Sequence, residues 1–342
     1  MAERKPVYYS EYLQLDKILE AQAPESAKHG VRADDEMLFI VIHQAYELWF
    51  KQILHEVELV REIFAQDNID ENSPDINNAL KRLQRITIIL QVLVDQISIM
   101  ESMTPLDFLD FRDFLRPASG FQSIQFKIME ALLGLPFDER FGQEYYLSQL
   151  NEKDVQMVKD AEKKESLFVL IEKWLARMPF TKSGWENADS FWLEYKEAYA
   201  ESLGEGEQQN VKYFDKYFLN RDDYPEENRL SMDANRASLF ITLYRDYPLL
   251  HSPYQIMNSL LDIDQLLAQW RNRHMNMVRR MIGHRVGTGG STGAKYLKGA
   301  ADKHYVFKEF AALSSFLVER SKLPKLPKEV SDKLSFINPM DL

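Results

Sequence analysis

The sequence predicts an all-α protein, built as a bundle of long helices with a helical insertion in the middle of the chain. Two observations favour this class. Apolar residues recur mostly at helical spacing. Glycine and proline, which interrupt helices, number only 13 each in 342 residues. With 45% apolar residues the chain can bury a substantial core, and we expect one domain over residues 1–342.

The first long helix is predicted from about Asp34 to Phe64, with Asp34 or Asp35 as its N-cap. Its apolar face follows steps of four and three residues without a break, which places one histidine in the middle of that face. The face contains Phe39, His43, Tyr46, Phe50, Ile53, Val57, Val60 and Phe64.

Two later helices begin with the same signal, a capping hydroxyl followed by proline. Ser73-Pro74 opens a helix whose apolar residues run from Ile76 to Ile97. Thr104-Pro105 opens a short helix that stops before Pro117, and a further helix ends at Gly134.

The middle of the chain, about 136–230, is more charged and irregular. Amphipathic helices are predicted at 167–178, 190–203 and 208–219. We interpret this part as an insertion that packs on the main bundle rather than as a separate domain.

After a helix at 231–244, Ser252-Pro253 is predicted to open the last long helix, which ends near Gly283. Its face again holds a histidine and consists of Ile263, Leu267, Trp270, His274, Met277 and Met281. A closing helix is predicted at 301–320, and the lysine-leucine-proline run at 322–327 is expected to end regular structure.

Composition excludes several functions. The formal net charge of −11 disfavours nucleic-acid binding, which depends on neutralising phosphates. The absence of cysteine excludes disulfides, iron–sulfur clusters, zinc-thiolate sites and cysteine nucleophiles, and favours a reducing compartment. Residues 1–12 carry no apolar signal core and no run of about 18 apolar residues occurs, so we expect a cytoplasmic protein without a membrane span.

His43 and His274 each lie within an apolar helix face, where an unsatisfied imidazole would cost roughly 1–3 kcal/mol. They are either core histidines bonded to neighbours or the two sides of a haem held between helices. The other five histidines show no zinc-like spacing and no Glu-x-x-His occurs, so non-haem metal is less favoured.

Arg112 also lies on a largely apolar face, between Phe108 and Leu115. It either pairs with a buried carboxylate of the protein or clamps a substrate carboxylate. Four arginines at 271, 273, 279 and 280 either form a solvated face or pair with haem propionates.

Five of the 13 glycines fall between 283 and 293, in a segment that fits neither a dinucleotide fingerprint nor a P-loop. It is either a flexible connection or a mobile loop that closes over a ligand and offers the hydroxyl of Thr288 or Ser291.

Four stretches together resemble the tryptophan 2,3-dioxygenase family. They are YLQLDKIL at 12–19, HQAYELW at 43–49, FRD at 111–113 with PASGFQS at 117–123, and GTGGSTG at 287–293. The resemblance implies a helical homotetramer that carries one haem b per subunit. It further implies insertion of both atoms of O2 across the indole C2–C3 bond of L-tryptophan, which gives N-formylkynurenine, the first step of the kynurenine route.

By the same resemblance, His274 is the proximal iron ligand, His43 the catalytic distal histidine that hydrogen-bonds the indole nitrogen, and Arg112 the partner of the substrate carboxylate. The remaining implied site residues are Phe39 and Phe108 as pocket walls, Thr288 near the substrate ammonium, Tyr9 and Tyr12 at a neighbouring subunit's site, and Trp270, Ser119 and Gly120 beside the haem.

Two alternatives stay open at this point. One is a haem enzyme of the same fold that acts on another indole or aromatic amino acid. The other is a haem-free helical interaction protein in which both histidines are core residues. A Soret band in protein supplied with haem separates the second alternative from the first.

Overall fold

The computed structural model describes residues 6–67, 69, 73–137, 139–140, 147–178, 188–287, 297–300 and 303–335. Within these ranges the regular structure is helical and contains no strand, which confirms the all-α class. The α-helices, in chain order, are α1 Tyr9–Leu13, α2 Leu15–Leu19, α3 Glu25–Lys28, α4 Asp35–Phe64, α5 Pro74–Met100, α6 Pro105–Arg112, α7 Ile124–Leu133, α8 Glu152–Glu162, α9 Leu167–Ala176, α10 Ala188–Ser202, α11 Asn210–Phe214, α12 Met232–Leu243, α13 Pro248–Ile282, α14 Lys308–Ala312 and α15 Lys328–Leu334.

Short tight turns connect several of these helices. The 3₁₀ turns are Asp113–Leu115, Gly120–Gln122, Glu205–Glu207, Leu313–Phe316 and Arg320–Lys322, and α11 continues into a π-helical turn at Asp215–Leu219.

Three long helices form the centre of the bundle. α5 packs along both α13 and α4, and α7 packs on α4 beside them. The predicted apolar faces supply the buried side chains, with Ile53, Val57 and Val60 of α4 fully buried. Burying one large aliphatic side chain stabilises the fold by about 1.5–3 kcal/mol. The apolar faces therefore drive the packing of these helices.

The predicted capping hydroxyl is confirmed at Thr104 but not at Ser73, which occupies the N-cap position of α5 without a side-chain hydrogen bond. Thr104 Oγ1 accepts a hydrogen bond from the Asp107 backbone N–H, and Asp107 accepts one in return from the Thr104 N–H, with Pro105 at the first helical position. Asp34 occupies the cap position of α4, but its carboxylate pairs with Arg32 and caps nothing.

The last long helix begins one turn earlier than predicted. It starts at Pro248, so that Pro253 lies inside the helix. Proline is favoured at the first position of a helix, and Pro248 takes that position instead of Pro253. The added turn buries Leu250, which favours the earlier start.

The predicted closing helix at 301–320 is wrong. In the described part, α14 gives way to 3₁₀ turns and extended backbone. The buried carboxylate of Asp264, on α13, accepts the backbone N–H groups of Val306 at 2.9 Å and Phe307 at 2.6 Å. Because those amides bond to a side chain, they are not available for helical hydrogen bonds.

Regular structure also does not end at 322–327, as the sequence suggested. Pro327 occupies the N-cap position of α15, which buries Val330 and Leu334 against the bundle. A proline that ends one segment can equally precede the next helix.

The middle of the chain packs on the bundle through α9, which contacts both α4 and α12. Its large aromatic side chains, including Trp174, Trp192 and Phe218, belong to the same contiguous cluster of buried residues as the long helices.

By length and composition alone, α5 could cross a membrane. It lies between α4 and α13, and 44% of its most apolar window is buried inside the protein. A core helix of a soluble protein meets the same criteria.

Candidate functional site

A large cavity lies where α4, α6, α7 and α13 meet. Its space free of protein atoms measures about 1710 Å³, part of it open to solvent. The predicted site residues that line it are Phe39, His43, Phe108, Arg112, Ser119, Gly120, Trp270 and His274. The two histidines of the predicted helix faces therefore share one cavity.

The His274 ring makes no hydrogen bond to the described residues. Nδ1 is fully buried without a partner, so Nε2 is the ring nitrogen that the cavity can reach. Burial, together with the proximity of His43, lowers the pKa of His274 to about 4. The ring is therefore neutral at neutral pH, and the Nε2 lone pair is available to a metal.

Trp270 holds the orientation of that ring. It lies one helical turn before His274, and the two rings stack with centroids 5.1 Å apart and planes within 3°. The indole thus limits rotation of the imidazole within the cavity wall.

His43 is oriented by its own helix. Its Nδ1 lies 2.7 Å from the backbone oxygen of Phe39, and because a carbonyl only accepts, Nδ1 carries the proton. Burial, opposed by that hydrogen bond, lowers the pKa of His43 below its ordinary value of 6.5. The neutral ring therefore presents Nε2 to the cavity as an acceptor.

Arg112, at the end of α6, is only 5% exposed. Its Nη2 donates to the Val286 backbone oxygen, while Nε is buried without a partner. No carboxylate of the described residues forms an ion pair with it, and the role of Arg112 as a clamp for a substrate carboxylate stays a prediction. A buried guanidinium that lacks a counter-charge favours an anionic ligand.

Aromatic side chains close one wall of the cavity. Phe39 contacts His43 with ring centroids 4.1 Å apart and Phe108 at 5.7 Å. Phe111 supports both phenylalanines from behind. This apolar wall between an acceptor and a guanidinium suits a flat aromatic ligand with a carboxylate.

The segment 119–123 forms another part of the wall. Ser119 Oγ accepts the Phe121 N–H, which fixes the short 3₁₀ turn that follows. A Cβ added at Gly120 would meet no atom within 4 Å, so the backbone here borders open space. Together with the accessible Nε2 of His274, this gap fits a haem, whose plane needs room beside the ligand histidine.

Other predicted positions lie elsewhere. Thr288 and Ser291 lie outside the described residues. Tyr9 and Tyr12 are 71% and 74% exposed and do not line this cavity; their predicted place is a neighbouring subunit's site.

The arginine cluster is divided between the core and the surface. Arg271 pairs with Glu130 and Arg273 with Glu101, whereas Arg279 and Arg280 are exposed. Pairing of the cluster with haem propionates stays a prediction.

A buried charged group beside the cavity was not predicted from the sequence. Glu130 Oε1 accepts from Arg271 at 2.7 Å and lies 3.2 Å from His304 Nδ1. Burial alone would raise the pKa of Glu130, but the His304 hydrogen bond and the charge of Arg271 outweigh it and the pKa falls to about 2. The only available signal was a charged pair, Lys127 and Glu130, within the apolar helix α7.

The fold and the site define a class: a protein whose described regular structure is helical, with a cofactor-sized cavity, one histidine on each of two long helices and a buried arginine that has no ion-pair partner among the described residues. Comparison with known proteins narrows this class. The sequence model of the family described as tryptophan 2,3-dioxygenase matches residues 1–224 and 219–317. The chain belongs to this family.

Similar proteins span bacteria and animals. The chain is 41% identical to the tryptophan 2,3-dioxygenase of Bdellovibrio bacteriovorus, over 97% of this chain and 98% of that one. It is 42% identical to that of Alteromonas mediterranea, with the same shares. It is 38% identical to tryptophan 2,3-dioxygenase A of Danio rerio, over 95% of this chain and 86% of that one.

Proposed function

We propose that the chain is a haem-dependent tryptophan 2,3-dioxygenase, which inserts both atoms of O2 across the indole C2–C3 bond of L-tryptophan to give N-formylkynurenine. The observation that carries the proposal is one cavity that joins an accessible neutral imidazole, a second imidazole and a buried arginine to which no described carboxylate is paired. Relatives named tryptophan 2,3-dioxygenase favour this substrate over another indole or aromatic amino acid.

His274 Nε2 would hold the iron of haem b, with one haem per subunit. Trp270 would fix the imidazole plane, and Gly120 with Ser119 would border the porphyrin edge. The haem iron supplies the activation of O2, and the protein supplies orientation and a dry pocket.

Four contacts would orient the substrate. Arg112 would receive the tryptophan carboxylate in a charge-assisted pair worth about 1.5–3 kcal/mol. The indole would lie against Phe39 and Phe108, and its N–H would donate to His43 Nε2. Thr288 would contact the ammonium group, which completes recognition of the zwitterion.

The role of His43 would be to orient the substrate. Its neutral form accepts the indole N–H and thereby fixes which edge of the indole faces the reacting oxygen. Protonation would turn Nε2 into a donor and remove that contact.

We further propose a cytoplasmic homotetramer of single-domain subunits without a membrane span. Large apolar side chains exposed along α4 and α5 support assembly, among them Leu48 and Ile88. The exposed aromatic start of the chain, with Tyr9 and Tyr12, supports a contact with a neighbouring site. The shared core of the middle segment supports one domain.

The test is turnover of the haem-loaded, reduced protein with L-tryptophan under ¹⁸O2. We expect N-formylkynurenine that carries both labelled atoms, detected by mass spectrometry. Product with one labelled atom, or no product from protein that shows a Soret band, would overturn the proposal.

A further inference from the structure

A second cavity lies in the middle part of the chain, and no residue lines both it and the haem cavity. It holds about 990 Å³ of space free of protein atoms, part of it open to solvent. Its walls come from the end of α10, from α11 with its π-helical turn, from α12 and from residues 308–316.

Asn235 presents an unused acceptor to this cavity. The residue is only 2% exposed, and its Nδ2 donates to Tyr224 Oη at 2.6 Å. Tyr224 gives its own proton to the Leu230 oxygen, so the hydroxyl can only accept from Asn235, which fixes the amide orientation. No hydrogen bond to Asn235 Oδ1 occurs within the described structure, and Asn235 is one of the residues that line the cavity.

Aromatic rings form part of the cavity wall. Tyr217 and Phe218 lie on the π-helical turn, and Phe316 packs edge-on against Phe218 at 5.0 Å. π-helical turns are rare and frequently occur at functional sites. The faces of such rings attract cations as well as apolar groups.

The charges around the cavity favour a cation. Glu309 is neutralised by Arg229, which contacts both of its carboxylate oxygens, and Lys308 pairs with Glu139 at 2.7 Å. Glu227 is exposed and has no ion-pair partner among the described residues. Among the described residues, the lining therefore offers the negative charge of Glu227 without an ion-pair partner.

We propose that the second cavity binds a small organic ammonium ion, an aryl- or alkylamine in its protonated form. Its N–H group donates to Asn235 Oδ1, its apolar body lies against Tyr217, Phe218 and Phe316, and Glu227 attracts its charge. An anion would face Glu227 and an amide oxygen that can only accept, which disfavours it.

The test is calorimetric titration of the ferric, haem-loaded protein with 2-phenylethylammonium, and with phenylacetate as the anion that carries the same ring. We expect saturable binding of the amine at one site per subunit and none of phenylacetate. The Soret band stays unchanged, because the haem cavity is not involved.

Two matched pairs of variants locate the site. Glu227→Gln should weaken amine binding about two- to fivefold, the range of an exposed charge pair, whereas Glu226→Gln at the neighbouring exposed position should not. Ala312→Trp places an indole in the cavity and should abolish binding. Ala311→Trp, exposed but outside the lining, should leave binding intact.

The proposal is overturned if the amine does not saturate at millimolar concentration, if phenylacetate binds equally well, or if Ala312→Trp retains binding. A Soret shift that follows the amine titration would place the amine in the haem cavity and would also overturn the proposal. If circular dichroism shows that Ala312→Trp does not fold, the glutamate pair tests the proposal. Equal amine binding by Glu227→Gln and Glu226→Gln would then overturn it.

Discussion

Arg112 is a buried charged residue without an ion-pair partner in the described structure. A guanidinium that is 5% exposed normally has a carboxylate partner, and the described structure provides only a carbonyl. The sequence placed this arginine on an apolar face, but it could not decide between a protein partner and a ligand, since the partner of a buried charge depends on contacts between distant segments.

Replacing Arg112 with alanine should raise the KM for L-tryptophan about 10- to 100-fold, because one charge-assisted pair of about 1.5–3 kcal/mol is lost. Steady-state kinetics measures this. Arg116→Ala is the matched control, because Arg116 is exposed and pairs with Asp113 on the protein surface. If wild-type protein oxidises tryptamine, which lacks the carboxylate, as well as tryptophan, the assigned role of Arg112 is wrong.

Protonation of His43 should lower kcat/KM on the acid side of the pH–rate profile. Since burial lowers its pKa below the ordinary 6.5, the neutral acceptor form persists at pH 6.5, and kcat/KM should fall only as the pH drops further and the ring is protonated. His43→Ala should keep haem, lower turnover and lose this acid-side fall in the pH–rate profile.

His55→Ala, an exposed histidine on the same helix, should change neither rate nor profile. Loss of haem from His43→Ala would mean that the two histidines have exchanged roles.

At the scale of elements, local signals predicted most helices well. Thr104 with Pro105 acts through neighbours within four residues, and the structure has a helix where this signal predicts one. The segment 303–320 could not be predicted in this way, because its backbone bonds to Asp264, which is more than 40 positions earlier in the chain.

Asp264→Ala should lower the free energy of unfolding by about 2–5 kcal/mol, because two buried backbone donors lose their acceptor. Chemical denaturation measures this, and hydrogen exchange should rise at residues 305–308. Asp262→Ala, exposed on the same helix, is the control. Equal stability of the two variants would show that Asp264 does not hold this segment.

At the scale of the whole molecule, the sequence predicted the two histidines and Arg112 because each interrupts an apolar pattern. It missed the group of Glu130, Arg271 and His304, whose members lie 141 and 33 positions apart. Charged residues of this kind look like ordinary surface residues until the fold brings them together.

Assembly is the property of the whole molecule that the exposed apolar surface predicts. Light scattering should give a mass of four times the 40.1 kDa subunit. Replacing the exposed Leu48 and Ile88 with charged residues should shift the mass toward smaller species while each subunit keeps its helical signal. A monomeric wild-type protein would contradict the proposed homotetramer.

The most direct test is titration of the purified protein with hemin, followed by its Soret band, for the wild type, His274→Ala and His251→Ala. We predict saturation at one haem per subunit for the wild type and for His251→Ala, whose exposed histidine lies on the same helix, and loss of tight binding for His274→Ala. A wild-type protein that stays colourless, or a His274→Ala variant with unchanged haem content, would contradict the account.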